Sequence, residues 1–471
     1  MRFLTQITSW AGTIYVVRHL DSHAFGQYAV ALVIFNYLAV VFDGTLLEAI
    51  VQQPPATPEA RRATFSLLVG VGVLLLGLTA ALAGPIGRLE GDKSVPALIM
   101  GIGAALGLTA LCVLPQAALA RAMDFRRLAS ISAVQAVCVT VSTVGLAALG
   151  TGAWALVSGQ IVGAAVRAVL LNLCSPSLVW PTLRIGNALE YVRFGGVLFA
   201  DNALWRWYTS LDTFLLGRWS GTGQLGFYNL AQQVAELPLE KISTVVNDIS
   251  LPAYAELRSD PPAAASLLLE TVRTHATAGF PIFWGLAAVA VYAVPVLFGR
   301  GWESSIFPLI ALAGVAPLRL IGSIETPAMT GIGQPGVLVK AKLIIAPCMT
   351  GALAVGCWLG GIKGAALAWL GIFPLCFGWA FRYVLQAAGI PYRQVLAVTR
   401  GPAAAAAAMI IAVLAGEHLT GNLTDSSAAV LAVAIAVGVP AYALGLRWLD
   451  PVAYRLAEGR LGRLVGVQHP A

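Results

Sequence analysis

Charge is what this chain has least of. Only 11% of its 471 residues are Asp, Glu, Lys or Arg, while 58% are apolar and the mean hydropathy is +0.80. A soluble domain carries roughly a quarter charged residues, so bulk water is excluded as the main solvent of the fold. Cysteine is scarce as well. The six (Cys112, Cys138, Cys174, Cys348, Cys357, Cys376) fall in or beside apolar blocks and form no CxxC pair. A disulfide framework and a zinc site are thereby excluded, which leaves small packing residues. The five histidines (His19, His23, His275, His418, His469) are scattered near loops and tails. His19 and His23 stand at i, i+4, but Asp21 and Ser22 between them read as a turn. No catalytic constellation emerges, so the chain is not expected to be an enzyme or to need a metal or cofactor. The run Gly331-Ile-Gly333-Gln-Pro-Gly336 has GxGxxG spacing, yet it follows an apolar block rather than a strand and contains Pro335. The dinucleotide reading fails that structural test.

What fills the chain instead is a series of apolar blocks of membrane-spanning length. A bilayer core about 30 Å thick takes about 20 apolar residues per helix. The blocks run roughly 3–20, 27–50, 64–86, 95–119, 128–149, 153–174, 194–217, 224–251, 274–298, 304–330, 337–360, 362–385, 402–419 and 427–448. The expected class is an all-α polytopic membrane protein with about fourteen transmembrane helices. No A-x-A cleavage site follows the first block, which reads as a helix that stays. Arg and Lys concentrate in alternate connections: Arg61 and Arg62; Arg121, Arg126 and Arg127; Arg184 and Arg193; Arg258 and Arg273; Lys340 and Lys342; Arg393 and Arg400. The other connections hold few, so both termini are expected to be cytoplasmic, and the net charge of +7 reflects topology rather than nucleic acid. Three cytoplasmic segments read as interfacial helices: 175–193, with Ile185, Leu189 and Val192 on one face; a second opening at Asp260-Pro261; and 390–401.

The chain echoes itself. Phe25-Gly26-Gln27-Tyr28 returns as Leu225-Gly226-Phe227-Tyr228, and Leu149-Gly-Thr-Gly-Ala153 as Leu359-Gly-Gly-Ile-Lys-Gly-Ala365. Two matches in the same order point to a duplication. Six helices per copy is an even number, so the copies would be parallel repeats about an axis along the membrane normal. The expected domains are a six-helix bundle over 1–174, a linker helix at 175–193 and a second six-helix bundle over 194–386. A remainder at 387–471 holds two extra helices and a tail.

Ionisable residues inside membrane blocks cost about 2.5–3.5 kcal/mol each at the bilayer centre on insertion scales, so they mark an internal watery space. Here they cluster in particular blocks: Asp43 and Glu48; Asp201, Arg206 and Asp212; Glu236, Glu240, Lys241 and Asp248; Arg319 and Glu325. Arg206, Lys241 and Arg319 are candidates to hold an anionic group, because guanidinium matches phosphate oxygens bidentately. Asp43, Asp201, Glu236, Glu240 and Glu325 are candidate ion-coupling or cavity carboxylates. The structural alternative is internal pairing, Glu236 or Glu240 with Lys241, or Asp201 with Arg206. Asp212, Asp248 and Glu48, at block ends, are alternatively headgroup residues.

At these residues the sequence resembles the polysaccharide-transport (Wzx-like) flippases of the multidrug/oligosaccharidyl-lipid/polysaccharide (MOP) exporter superfamily. The matching stretches include Arg18 to Tyr28, Phe42-Asp43-Gly44 through Gln52, Arg121 to Leu128, Gly152 to Gln160, Leu211 to Arg218, Leu225 to Ala231, Leu237-Pro238 and Leu251 to Tyr254. The resemblance implies a bacterial inner-membrane protein with a central cavity between two bundles. Its substrate would be a polyprenyl-diphosphate-linked oligosaccharide (an O-antigen, exopolysaccharide or capsule repeat unit) flipped by alternating access. It implies membrane lipid as surroundings, a glycan polymerase and chain-length proteins as partners, and no nucleic acid. It also implies that the first, second, seventh and eighth helices line the cleft. The family carries about one more helical turn before the first helix, whereas this chain opens Met1-Arg2-Phe3, from a late start or a short helix. Two alternatives stand beside this reading. A cation-coupled multidrug exporter of the same superfamily would prefer a carboxylate-dominated cavity. A membrane enzyme of glycan assembly would need a sizeable outer loop bearing polar catalytic residues.

Overall fold

The computed structural model describes residues 2–42, 46–52, 58–180, 182, 189–334, 336–421, 424, 426–456 and 458. Every regular element among them is helical. They run α1 (Arg2–His19), α2 (Ser22–Val41), α3 (Leu47–Gln52), α4 (Pro58–Glu90), α5 (Val95–Arg121), α6 (Phe125–Ala148) and α7 (Trp154–Cys174). There follow α8 (Leu189–Glu256), α9 (Pro261–Phe298), α10 (Ile306–Gly322), α11 (Glu325–Gly331), α12 (Gly336–Ala387), α13 (Tyr392–Gly421) and α14 (Ser427–Leu449). Nine of the described helices are long and apolar enough to cross a membrane, ten if the bent halves of α5 count as one span. The chain is an all-α, multi-pass membrane protein.

Local chemistry sets where helices begin and break. Asp21, Asp124 and Asp260 each accept a backbone N–H three residues on, from Ala24 (2.8 Å), Arg127 (3.1 Å) and Ala263 (3.0 Å), and so cap α2, α6 and α9. The Asp260-Pro261 start expected from sequence is therefore present. It opens a continuous 38-residue helix rather than a separate interfacial one. Similarly, 392–401 is the first part of α13, and 189–193 the first part of α8. Residues 176–180 are not helical, and Ile185 lies outside the described residues, so no separate linker helix is seen among the described part of 175–193. Helix α8 is broken at Gly221 (φ 79°, ψ 162°) and α12 at Gly361 (φ 53°, ψ −134°), conformations that only glycine adopts without strain.

Two compact units divide the chain, Met1–Asn229 and Leu230–Ala471. The division falls inside α8, whose first half is tied to α2 and α4 by the contacts of Tyr37 and Gly217. In the first unit α4 packs on α5, α5 on α7, α7 on α6, and α6 on α1. Gly101 and Gly103 allow this: a Cβ on them would meet Val157 and Thr79, at 2.8 and 2.3 Å. In the second unit α9 packs on α10, α13 and α14, and α10 on α12. There Trp369, Phe373, Phe377 and Phe381 form an i, i+4 aromatic ladder along α12, with successive centroids 5.3, 5.8 and 5.1 Å apart.

Prolines inside these helices free carbonyls four residues back, and at Pro115 and Pro281 a partner side chain reaches the freed carbonyl. Pro115 leaves the Leu111 carbonyl without its helical donor; Asn172 of α7 donates to it at 3.1 Å, where α5 bends by 42°. Pro281 does the same to Thr277, and the Tyr442 hydroxyl of α14 donates to that carbonyl at 2.8 Å. Tyr442→Phe should therefore destabilise the protein by about 1–3 kcal/mol, the usual cost of orphaning a buried acceptor. In a Pro281→Ala background the same change should cost much less, since alanine has a backbone N–H and restores the helical bond to Thr277. Thermal unfolding of the four variants in detergent measures this, and equal losses in both backgrounds would contradict it.

Candidate functional site

The first unit carries a polar interior that includes the two tyrosines of the sequence echo, Tyr28 and Tyr228. Gln160 of α7 donates to the Tyr28 hydroxyl at 2.9 Å. Tyr228, its counterpart in the echo, donates to the Asp212 carboxylate at 2.7 Å, and the Thr213 N–H donates to the same carboxylate at 2.9 Å. Asp212 is fully buried, on a helix that continues past it to the break at Gly221. Two helical turns beyond Gln160, on the same face of α7, Arg167 donates to Gln116 of α5 at 2.7 Å. The first half of α8 is held against α2 by the Tyr37 hydroxyl, which donates to the Arg206 carbonyl at 2.9 Å. It is held against α4 at Gly217, where a Cβ would fall 2.2 Å from the Glu90 carboxylate.

The sequence-predicted residues distribute as follows. Asp43 lies outside the described residues, as does the side chain of Asp201. Arg206 is half-buried, with its guanidinium 5.2 Å from the Trp205 ring centroid. In the second unit the structure brings Arg319 and Glu236 together as an ion pair at 3.0 Å. Gln232 also donates to Glu236, at 3.3 Å, and the Arg319 guanidinium stands 5.0 Å over Trp369 at the head of the aromatic ladder. Glu236 thus has Arg319, from a different helix, as its cation. Glu240 and Lys241 are exposed on α8. Glu325 opens α11 half-buried, with one carboxylate oxygen buried and without a hydrogen-bond partner. Among the described residues no group of three or more His, Cys, Asp or Glu could hold a metal ion.

Two cavities lie at helix ends. One of ≈ 250 Å³ in the first unit is lined by Arg61, Thr64, Arg121 and Ser177, among others. Its arginines bind the chain itself, Arg61 donating to the Pro176 carbonyl and Arg121 to the Ile50 carbonyl. One of ≈ 260 Å³ in the second unit is lined by Tyr254, Arg258, Leu268, Met329, Gln334 and Gln386, among others. Ile332 and Gln334 border it, and Gly333 between them has φ 82° beneath the Arg258 guanidinium.

A model of the family described as polysaccharide biosynthesis protein matches residues 15–307. The chain belongs to that family. Its sequence is 25% identical over 362 residues to the lipopolysaccharide biosynthesis protein WzxC of Escherichia coli (strain K12), covering 75% of this chain and 73% of that one. It is 28% identical over 413 residues to the succinoglycan biosynthesis transport protein ExoT of Rhizobium meliloti (strain 1021), covering 84% and 81%. The fold is that of the lipid II flippase MurJ in an inward closed conformation, with TM-score 0.77, 14% identity, and 95% and 97% of the two chains covered. It is also similar, at TM-score 0.58 and 14% identity, to an inward-facing multidrug resistance MATE family transporter of the MOP superfamily, covering 82% of this chain and 95% of that one. This polysaccharide biosynthesis family member thus has the same fold as those two transporters.

Several polar residues inside this family member escaped the sequence reading. Arg167 is a lone cation in an apolar helix, and its i, i+7 relation to Gln160 was the available signal. Glu417 is buried in α13, and His275 is fully buried in α9 rather than near a loop, because α9 extends a full 38 residues. The Arg319–Glu236 pair should be energetically coupled. Arg319→Met alone should cost about 1.5–3 kcal/mol by stranding a carboxylate. Adding Glu236→Gln should recover part of that loss in a double-mutant cycle of detergent unfolding. Additive losses would show the pair to be uncoupled.

Proposed function

We propose that this chain is a flippase that moves a polyprenyl-diphosphate-linked oligosaccharide across the bacterial inner membrane by alternating access. A pyrophosphate and its sugars cannot cross hydrocarbon unaided. A path must therefore offer cations to the diphosphate and hydrogen-bonding groups to the sugars. The observation that carries the reading is the set of charged and polar side chains inside membrane helices of a polysaccharide biosynthesis family member. Arg206 and Lys241 are proposed to contact the diphosphate, with Arg319, balanced by Glu236, as the third cation. Asp43, Asp201, Glu236, Glu240 and Glu325 are the proposed cavity or ion-coupling carboxylates. The names of the relatives support a glycan-linked cargo over a drug. Polymerase and chain-length proteins would act on the product.

The finer architecture belongs to the same proposal. Counting α2 with α3 and α10 with α11 as single spans, and dividing α8 at Gly221 and α12 at Gly361, gives fourteen membrane passes. Twelve would form two parallel six-helix repeats, over 1–174 and 194–386. Helices α13 and α14 would be additions, and both termini would be cytoplasmic by the arginine and lysine bias.

In a strain lacking its own flippase, this chain should restore surface polysaccharide. Arg206→Ala or Lys241→Ala should reduce export to the level of the null strain while the protein still inserts. Wild-type levels of surface glycan in both variants would remove the cationic-site assignment.

A further inference from the structure

The two echoing glycines, 200 residues apart in the chain, touch the same point of each other's helix. A Cβ on Gly26 would lie 1.7 Å from the Thr222 carbonyl oxygen, and a Cβ on Gly226 would lie 1.8 Å from the Ser22 carbonyl oxygen. Each glycine meets the residue four places before the other glycine, so the contact is reciprocal, as a local two-fold axis requires. The sequence on each side is small-xxx-small, Ser22 to Gly26 and Thr222 to Gly226, the pattern that lets membrane helices approach to backbone contact. Beside it a polar cluster closes the crossing. His23 hydrogen-bonds Thr222 through its Nδ1 (2.7 Å) and stands 3.2 Å from the Asp92 carboxylate through its Nε2, while Gln27 donates to the same carboxylate at 2.7 Å. Both segments begin where the helical backbone is interrupted, at Leu20–Asp21 before α2 and at Gly221 within α8.

We propose that this crossing is the outer-face closure of the transport path, parting in each cycle, with Gly26 and Gly226 as the positioning residues that let it shut. The proposal rests on the flippase reading above. With both termini cytoplasmic, α2 and the second half of α8 both begin at the outer face. In a transporter built from repeats, alternating access moves one repeat against the other, and these two segments belong to different repeats. The contact also suits repeated separation. It consists of backbone on backbone with a rim of hydrogen bonds, and the His23 side chain at that rim is 54% exposed, so water can replace the bonds when they open.

The test uses His23→Cys with Thr222→Cys in a cysteine-replaced full-length chain, whose side chains would face each other. A short, reducible bifunctional thiol reagent is applied to cells of the flippase-null strain. Cross-linking should drop surface glycan export to the null level, and reduction should restore it. Full cross-linking with undiminished export would make the crossing a static scaffold, and failure to cross-link would deny the contact; either overturns the proposal. Should the double variant be inactive beforehand, Gly26→Ala with Thr222→Cys gives a second reading. It should remain folded, with a Tm near that of Thr222→Cys alone, and its thiol should react several-fold faster with an impermeant maleimide added from outside. An unchanged labelling rate, or loss of the folded protein, overturns the closure. If the wild-type chain itself fails to restore export, the flippase reading falls first, which separates the two failures.

Discussion

A polar group freed inside a membrane helix has no water to turn to, so another part of the protein must reach it. That constraint accounts for most of the specific contacts seen here. Asn172 and Tyr442 answer carbonyls released by Pro115 and Pro281. Tyr228 answers Asp212, Gln160 answers Tyr28, Gln116 answers Arg167, and Glu236 answers Arg319. A stranded hydroxyl or amide would cost a few kcal/mol, and a stranded charge more. At Pro115 and Pro281 a partner on a neighbouring helix repairs the damage, and each repair ties that neighbour to one position along the kinked helix.

Lipid tails are as apolar as leucine, so helices in a bilayer gain little by hiding leucine from it. Close approach and hydrogen bonding must supply the adhesion instead. The glycines do this at several crossings. Gly356 and Gly364 oppose each other's carbonyls on either side of the Gly361 break, and Gly26 and Gly226 meet the Thr222 and Ser22 carbonyls between α2 and α8. Such contacts are tight in one geometry and give up little when they part. That combination suits a protein whose task requires movement, and it contrasts with the aromatic ladder of α12, which suits a fixed scaffold.

The membrane class, the helical content and the family were legible in the sequence, because hydropathy and the motifs from Arg18 to Tyr254 act over short stretches. So were the cap at Asp260 and the echo around Gly26 and Gly226. What was hidden is tertiary. Nothing local tells Glu236 that its cation is Arg319 rather than Lys241, which follows it on the same helix. Asp212 lies near the end of the 194–217 block, and nothing local says that α8 carries on to Gly221 or that packing buries its carboxylate. The interfacial segments at 261 and 392 merged into longer helices because, among the described residues, no positive-φ glycine stands between them and the spans that follow. The packing boundary at Asn229 could not be read either, since it depends on contacts of α2 and α4 with residues far away in sequence.

The central claim is that the cations assigned to the transport path, Arg206 and Lys241, face water. Solvent access at those positions tests this most directly. In a cysteine-replaced chain, single cysteines at Arg206 and Lys241 should react with a small, water-soluble thiol reagent in native membranes, while cysteines at the exposed apolar positions Val73 and Leu74 of α4 should not. Labelling of 206 and 241 no faster than of 73 and 74 would mean that those charges face lipid or dry protein, contradicting the account.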